Sequence, residues 1–237
     1  MNETPQITAA SWLMVATLGL TWGGTFLVME IALLGMTPFW LAAGRIGFAA
    51  LLMLAIWGAM GRRLFKAPVA RSGWATVALI GALSSAVPFM LLAWGQQFVT
   101  SGFAGVSMAA VALIVLPLAH FLVPGERFTL RKGIGFVIGF IGVCILIGAQ
   151  AFESSGIALE PAGRLACLSA AFCYATSSVL MRRLPQVDPI GLATVLLCIG
   201  AILVIPLAFI VEGMPSALDT RTLTAVVFLG LIPTAGA

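Results

Sequence analysis

Residues 21–54 read TWGGTFLVMEIALLGMTPFWLAAGRIGFAALLML, and in that whole stretch only Glu30 and Arg45 are ionisable. Two apolar runs meet at Thr37-Pro38. With the residues before and after, each reaches the roughly 20 positions that crossing a bilayer requires. Neither run alternates apolar and polar residues, so neither suits the wall of a closed barrel. Lipid offers no partner to an open strand edge, which leaves helices.

The rest of the chain repeats this character. Of 237 residues, 61% are hydrophobic and 8% are charged. A water-soluble domain carries roughly a quarter charged residues, so this chain lacks the means to cover an aqueous surface. Eight spans are expected, at about 11–31, 38–60, 73–95, 100–123, 132–149, 163–181, 189–211 and 222–237. The expected fold class is an all-α membrane protein, a polytopic transmembrane helix bundle. The N-terminal MNETPQITAAS has no Lys or Arg, and the run behind it is too long for a secretory signal, so the first helix is expected to be retained. Cys144, Cys167, Cys173 and Cys198 all fall inside spans. That argues against a disulfide framework and against a zinc site, and favours small apolar filler. No cofactor is expected.

Charge sorts the loops. Arg62, Arg63, Lys66 and Arg71 follow span two; Arg127, Arg131 and Lys132 follow span four; Arg182 and Arg183 follow span six. The opposite loops hold only Arg164 and Arg221 among basic residues, together with Glu153, Glu160, Glu212 and Asp219. Cytoplasmic loops concentrate Lys and Arg, which puts the N-terminus and the basic loops in the cytoplasm of a cell whose inner membrane holds the chain. Span four then ends at the cytoplasmic surface in HFLVPGERF, 120–128, where Pro124-Gly125 stops the helix. His120 lies about one turn inside, either as an interfacial polar side chain or as a proton relay.

An internal repeat is visible. Residues 21–54 and residues 173–205, CYATSSVLMRRLPQVDPIGLATVLLCIGAILVI, both run from an aromatic with small and hydroxyl neighbours to a turn ending in Thr37-Pro38 or Asp188-Pro189. A long apolar helix follows in each. Span three, TVALIGALSSAVPF, pairs with AVVFLGLIPTAGA in span eight. The repeating unit covers five spans. An odd number makes the second copy enter the bilayer from the opposite face, an inverted repeat with its binding site near the midplane.

The chain resembles the drug/metabolite transporter superfamily, in particular its EamA-like members. The resemblance rests on TWGGTF (21–26), TPFWLAAGR (37–45), VTSGFAGV (99–106), LPL (116–118) and PGERFT (124–129) in that order. It implies inverted five-helix repeats, ten helices in all, a central cavity, and transport of small organic molecules across the cytoplasmic membrane by alternating access, with export the expected direction. Residues 11–149 form a first repeat on this reading. Residues 163–237 form a second, incomplete one, so eight helices of the expected ten are present. The expected partners are the lipid bilayer, a small-molecule substrate that is amino-acid-like, zwitterionic or amphiphilic, and protons as a coupling ion.

Polar groups inside spans are the candidates for function, because each is costly there. Glu30 ends span one, and Arg45 lies seven residues past Pro38, so either the two pair across neighbouring helices or Arg45 snorkels outward. Their roles are anchoring, or coupling to substrate or protons. Thr21 and Thr25 share a helical face, with Trp22 beside it. Span six offers Ser169, Cys173, Thr176 and Ser177 at helical spacing, with Tyr174 and Ser178 adjacent. Ser84, Ser85 and Pro88 in span three, with Pro233 in span eight, mark interrupted helices at related positions. Thr21, Trp22, Thr25, Ser84, Tyr174 and Ser177 are the cavity candidates, and helix–helix packing is the competing use of the small ones. In span five, Gly135, Gly139 and Gly142 are expected to let helices approach closely.

Nothing here assembles a nucleophile with a base or a metal cluster, so an intramembrane enzyme is not expected. A non-transporting scaffold, or a subunit of a larger complex, is the alternative that the incomplete second copy leaves open.

Overall fold

Among the described residues eight helices follow one another, and caps at several of their starts are written in the sequence. The computed structural model describes residues 8–61, 64–65, 71–123, 125, 129–147, 156–215 and 217–236. Helix α1 is Ala9–Leu33 and α2 is Pro38–Ala59. Helix α3 is Arg71–Gly95, with a π turn at Ala82–Ala86. Helix α4 is Ser101–Leu122, interrupted at Met108 and Ala109, and α5 is Leu130–Ile147. Helix α6 is Glu160–Met181, α7 is Pro189–Glu212 and α8 is Thr220–Thr234. A second π turn, Gly230–Thr234, closes α8.

Both α2 and α7 open on a proline that supplies the fixed φ of a first helical residue and surrenders no hydrogen bond there. Asp188 caps α7, accepting from the Gly191 N–H at 2.6 Å, and Asp219 caps α8, accepting from the Thr222 N–H at 3.0 Å. Thr100 does the same for α4 through the Phe103 N–H. Six of the helices, α1 to α4, α6 and α7, are long and apolar enough to cross a membrane. Helix α8 is shorter, and α5 has 18 described residues. Among the described residues the secondary structure is helical, with one isolated bridge, Phe65 to Val187, between loops.

The charged residues divide the bundle into two ends. One end, here called basic, carries Arg71, Arg131, Lys132, Arg182 and Arg183; the other, acidic, carries Glu160, Glu212 and Asp219, with Arg164 and Arg221. Arg62, Arg63, Lys66, Arg127, Glu153 and the Pro124, Glu126 and Phe128 of the PGERF turn lie outside the described residues, as do residues 148–149 of the fifth expected span and Ala237 of the eighth.

Packing is paired across the chain. Helix α2 runs along α7. The π turn of α3 sits on α7, and the π turn of α8 sits on α2. Helix α1 packs on α8, and α6 packs on α3. Glycines set the closest approaches. A methyl group on Gly230 would lie 2.7 Å from Phe48 Cβ and 2.9 Å from the Arg45 carbonyl oxygen, and one on Gly200 would lie 2.8 Å from Ser85 Cβ. The side chains that would push these helices apart are missing where the π turns dock.

Two expectations change here. Helix α1 leans mainly on α8 and only slightly on α2, its neighbour in sequence. The turn after α1 is drawn toward the start of α8, where Gly35 meets the Thr222 side chain. The glycines of α5 do not mediate close packing. Gly135 and Gly142 have no described atom within 4 Å of a Cβ position, and Gly139 has only Leu113 at 3.9 Å. Helix α5 lies against α4, and among the described residues its glycines have no closer neighbour than Leu113.

The acidic half is filled by a packed core that includes Met29, Ala32, Leu41, Leu92, Ala93, Cys167, Ala170 and Val226. Gln96 reinforces it by donating from its side-chain amide to the Phe26 carbonyl of α1 at 3.0 Å.

Candidate functional site

Below that core a cavity of about 530 Å³ opens between the helices. Every helix except α5 lends it residues. Trp22, Thr25 and Phe26 come from α1, and Arg45 comes from α2. Ser84, Ser85, Phe89 and Leu92 come from α3, Met108 and Val111 from α4, and Tyr174 and Ser178 from α6. Ala193, Leu196 and Leu197 of α7 and Pro233 and Thr234 of α8 complete the wall. The volume falls within the range of small-molecule sites, and an apolar lining with a few convergent polar groups is their usual chemistry.

Local structure explains how the polar groups reach the cavity. A π turn widens the helix by one residue and re-aims the side chains that follow. The α3 turn presents Ser84 and Ser85, whose hydroxyls lie 3.5 Å apart. The α8 turn presents Thr234, whose hydroxyl donates to the Leu229 carbonyl five residues back at 2.6 Å. With its proton committed there, the Thr234 oxygen accepts from Arg45 Nε at 2.6 Å.

Arg45 dominates the electrostatics. It is 6% exposed, its Nη1 donates to the Met29 sulfur at 3.3 Å, and its guanidinium carbon stands 4.2 Å above the centre of the Phe89 ring. Phe89 in turn tilts against Tyr174 at 6.2 Å between ring centres. A cation over an aromatic face is worth about 2 kcal/mol when desolvated. That offsets part of the roughly 2.5–3.5 kcal/mol cost of a charge at this depth. Among the described residues, no Asp or Glu lines the cavity.

Of the residues singled out in the sequence, Trp22, Thr25, Ser84, Tyr174 and Arg45 line this cavity, together with Ser85, Ser178 and Pro233. Thr21, Ser177, Glu30 and His120 do not. Thr21 turns its hydroxyl to the Thr17 carbonyl, and Ser177 is buried, donating to the Tyr174 carbonyl, while its neighbour Ser178 faces the cavity. Glu30 is exposed on α1, away from Arg45, so neither the pairing nor the outward snorkelling of Arg45 is found. The half-buried hydroxyl of Thr234 takes the place expected of Glu30. His120 is exposed near the end of α4, edge-on to the Phe121 ring. Sequence reasoning missed Phe89 and Thr234. Thr234 was findable as the residue after Pro233 in a helix matched to span three.

A second, smaller hollow of about 330 Å³ lies at the acidic end, between the α1–α2 turn and the residues after α7, with Thr37, Trp40, Gln97 and Glu212 in its wall.

Known proteins share this architecture and sequence. A crystal structure of a protein superposes with a TM-score of 0.67 at 23% identity, covering 94% of this chain and 75% of that one. The uncharacterized transporter YoaV of Bacillus subtilis is 25% identical over 93% of this chain and 74% of its own length. A probable terminal-alkyne amino-acid exporter of Streptantibioticus cattleyicolor is 27% identical over 97% of this chain and 74% of its own length. The profile of the EamA-like transporter family matches residues 9–148 and again residues 161–237. A helical bundle with a lipid-facing exterior, built around a solute-sized hollow and matched twice by one family, is a multi-pass membrane transporter and not an enzyme: the chain belongs to the EamA-like transporter family.

Proposed function

We propose that this transporter exports a small organic metabolite, amino-acid-like, zwitterionic or amphiphilic, across the cytoplasmic membrane by alternating access. The observation that carries the reading is the cavity of about 530 Å³, with hydroxyl, aromatic and one cationic group converging on it from seven helices. The Streptantibioticus relative, named as a probable amino-acid exporter, supports the substrate class and the direction.

The chain divides, on this reading, into repeats at 11–149 and 163–237 that enter the membrane from opposite faces. The paired contacts support it: the π turns of α3 and α8 dock on α7 and α2 in the same way, and the first helix of each unit packs on the third helix of the other. The basic end faces the cytoplasm by the distribution of Lys and Arg, with the N-terminus on that side. The form described is then inward-facing. Ser178 is three residues from the basic end of α6 and Ala193 four residues past the start of α7, whereas the acidic half is closed by side chains.

Efflux from preloaded cells is the test. Cells expressing the full chain are expected to lose radiolabelled apolar amino acids faster than cells with an empty vector, and to tolerate toxic amino-acid analogues at higher dose. Equal efflux and equal tolerance across the panel would exclude this substrate class.

A further inference from the structure

Arg45 is nine-tenths buried, lines the cavity, and has more donors than the described residues satisfy. A guanidinium carries five N–H groups. Nε is taken by Thr234 and one Nη1 hydrogen by the Met29 sulfur, a weak acceptor. Among the described residues the guanidinium makes no other hydrogen bond, which leaves one Nη1 hydrogen and both on Nη2 to the cavity. Charges buried in proteins are normally matched by an opposite charge, and among the described residues none lines this cavity. The Thr234 hydroxyl holds Nε in place, and Phe89 supports the guanidinium plane from one side. What remains free is an edge of donors in the fork geometry that fits a carboxylate.

We infer that Arg45 is the substrate's carboxylate receptor, so that the transported solute is a carboxylate-bearing molecule with an apolar body. The inference rests on the transport reading above and narrows its substrate class. The carboxylate takes the free guanidinium edge, beside the Ser84 and Ser85 hydroxyls of the α3 π turn. The body of the solute lies against Leu196 and Leu197. A zwitterion is accepted because its carboxylate meets Arg45. A cation without a carboxylate is rejected, because it meets a fixed positive charge and no acid.

Four compounds of one shape separate the possibilities on the purified full chain: 3-phenylpropanoate, phenylalanine, 3-phenylpropanamide and phenylalaninamide. Binding is read by calorimetry in nanodiscs of neutral lipid. The two carboxylates are expected to bind on the order of 10- to 100-fold more tightly than their amides, the span of a charge-assisted pair. Arg45→Gln is expected to erase that ratio and Arg45→Lys to keep part of it. Thr234→Val, which leaves the charge and loosens its aim, is expected to reduce it.

Equal binding of carboxylates and amides by the unaltered chain, preference for phenylalaninamide, or no binding of any of the four overturns the inference without recourse to a variant. Repeating the titration with anionic phosphatidylglycerol in the disc separates the two sources of an anion. Carboxylate binding that persists supports a soluble substrate, and its loss assigns Arg45 to a lipid phosphate and overturns the proposal. Carboxylate-selective binding without efflux from cells would reject transport of these solutes and leave the receptor standing. Efflux without carboxylate preference would do the reverse.

Discussion

The carboxylate of Glu212, on the last residue of α7, accepts a 2.6 Å hydrogen bond from the hydroxyl of Thr37, the residue that caps α2. The same carboxylate accepts the backbone N–H groups of Phe39 and Trp40, each at 3.0 Å. A negative group at a helix start satisfies donors that have no partner within the helix and complements its dipole. Thr37 makes no capping bond with its own side chain, so the cap comes from the other half of the protein. Glu212→Ala is expected to cost about 0.5–2 kcal/mol, the usual worth of a lost cap, and Glu212→Gln less. Thermal unfolding in detergent measures both, and unchanged midpoints would show the contact to be incidental.

The glycines beneath the π turns give a sharper contrast. Gly230→Ala would place a methyl group 2.9 Å from the Arg45 carbonyl, a backbone atom that yields only if α2 and α8 separate. A loss of about 1–3 kcal/mol is expected, in the range of overpacking. Gly23→Ala and Gly24→Ala meet no atom within 4 Å. Because alanine favours a helix over glycine by up to about 1 kcal/mol, these variants are expected to match or exceed the parent in melting temperature.

Thiol labelling tests which end of the cavity is open. Cys167 is fully buried in the core of the acidic half, while Cys173 and Cys198 are half-buried. On a background with the native cysteines replaced by alanine, Ser178→Cys is expected to react with a charged methanethiosulfonate added from the cytoplasmic side. Met29→Cys, 1% exposed within the core, is expected to stay unlabelled. Faster labelling of Ser178→Cys from the opposite side would reverse the assigned sidedness.

Acid should weaken the start of α8. Bonds from Thr222, helped by Arg221, hold the Asp219 carboxyl below its ordinary value of 3.8. A group with a depressed folded-state pKa stabilises above its unfolded pKa, and that contribution is lost as pH falls through the folded value. Lowering the pH from 5 towards 3 is therefore expected to reduce the melting temperature of the parent more than that of Asp219→Asn, which caps without a titrating charge. Equal losses would remove Asp219 from the acid response.

Much of the fold was legible because lipid imposes one demand, a run of apolar residues of fixed length. The second span was expected at 38–60 and α2 runs from Pro38 to Ala59; the third was expected at 73–95 and α3 ends at Gly95. The cavity was legible only in part. Trp22 announces itself as an aromatic beside two glycines, and Ser84 as a hydroxyl four residues before a proline. The bond from Arg45 to Thr234 joins residues 189 apart in sequence and obeys no local spacing, so the nearer acid, Glu30, was the natural guess. Thr21 and Ser177 show the limit of helical periodicity. In each case a neighbour within four positions faces the cavity, and the choice between them depends on helix tilt and rotation, which packing sets.

Helices α2 and α7 are fastened to one another at both extremities. Glu212 grips the start of α2 and the Trp40 indole N–H donates to the Gly213 carbonyl at 3.0 Å, while at the far end the Asp188 N–H donates to the Leu64 carbonyl at 2.9 Å. Two rods stapled top and bottom form a spindle. On the alternating-access proposal, the remaining helices swing about this shaft, with the guanidinium of Arg45 riding on the shaft itself.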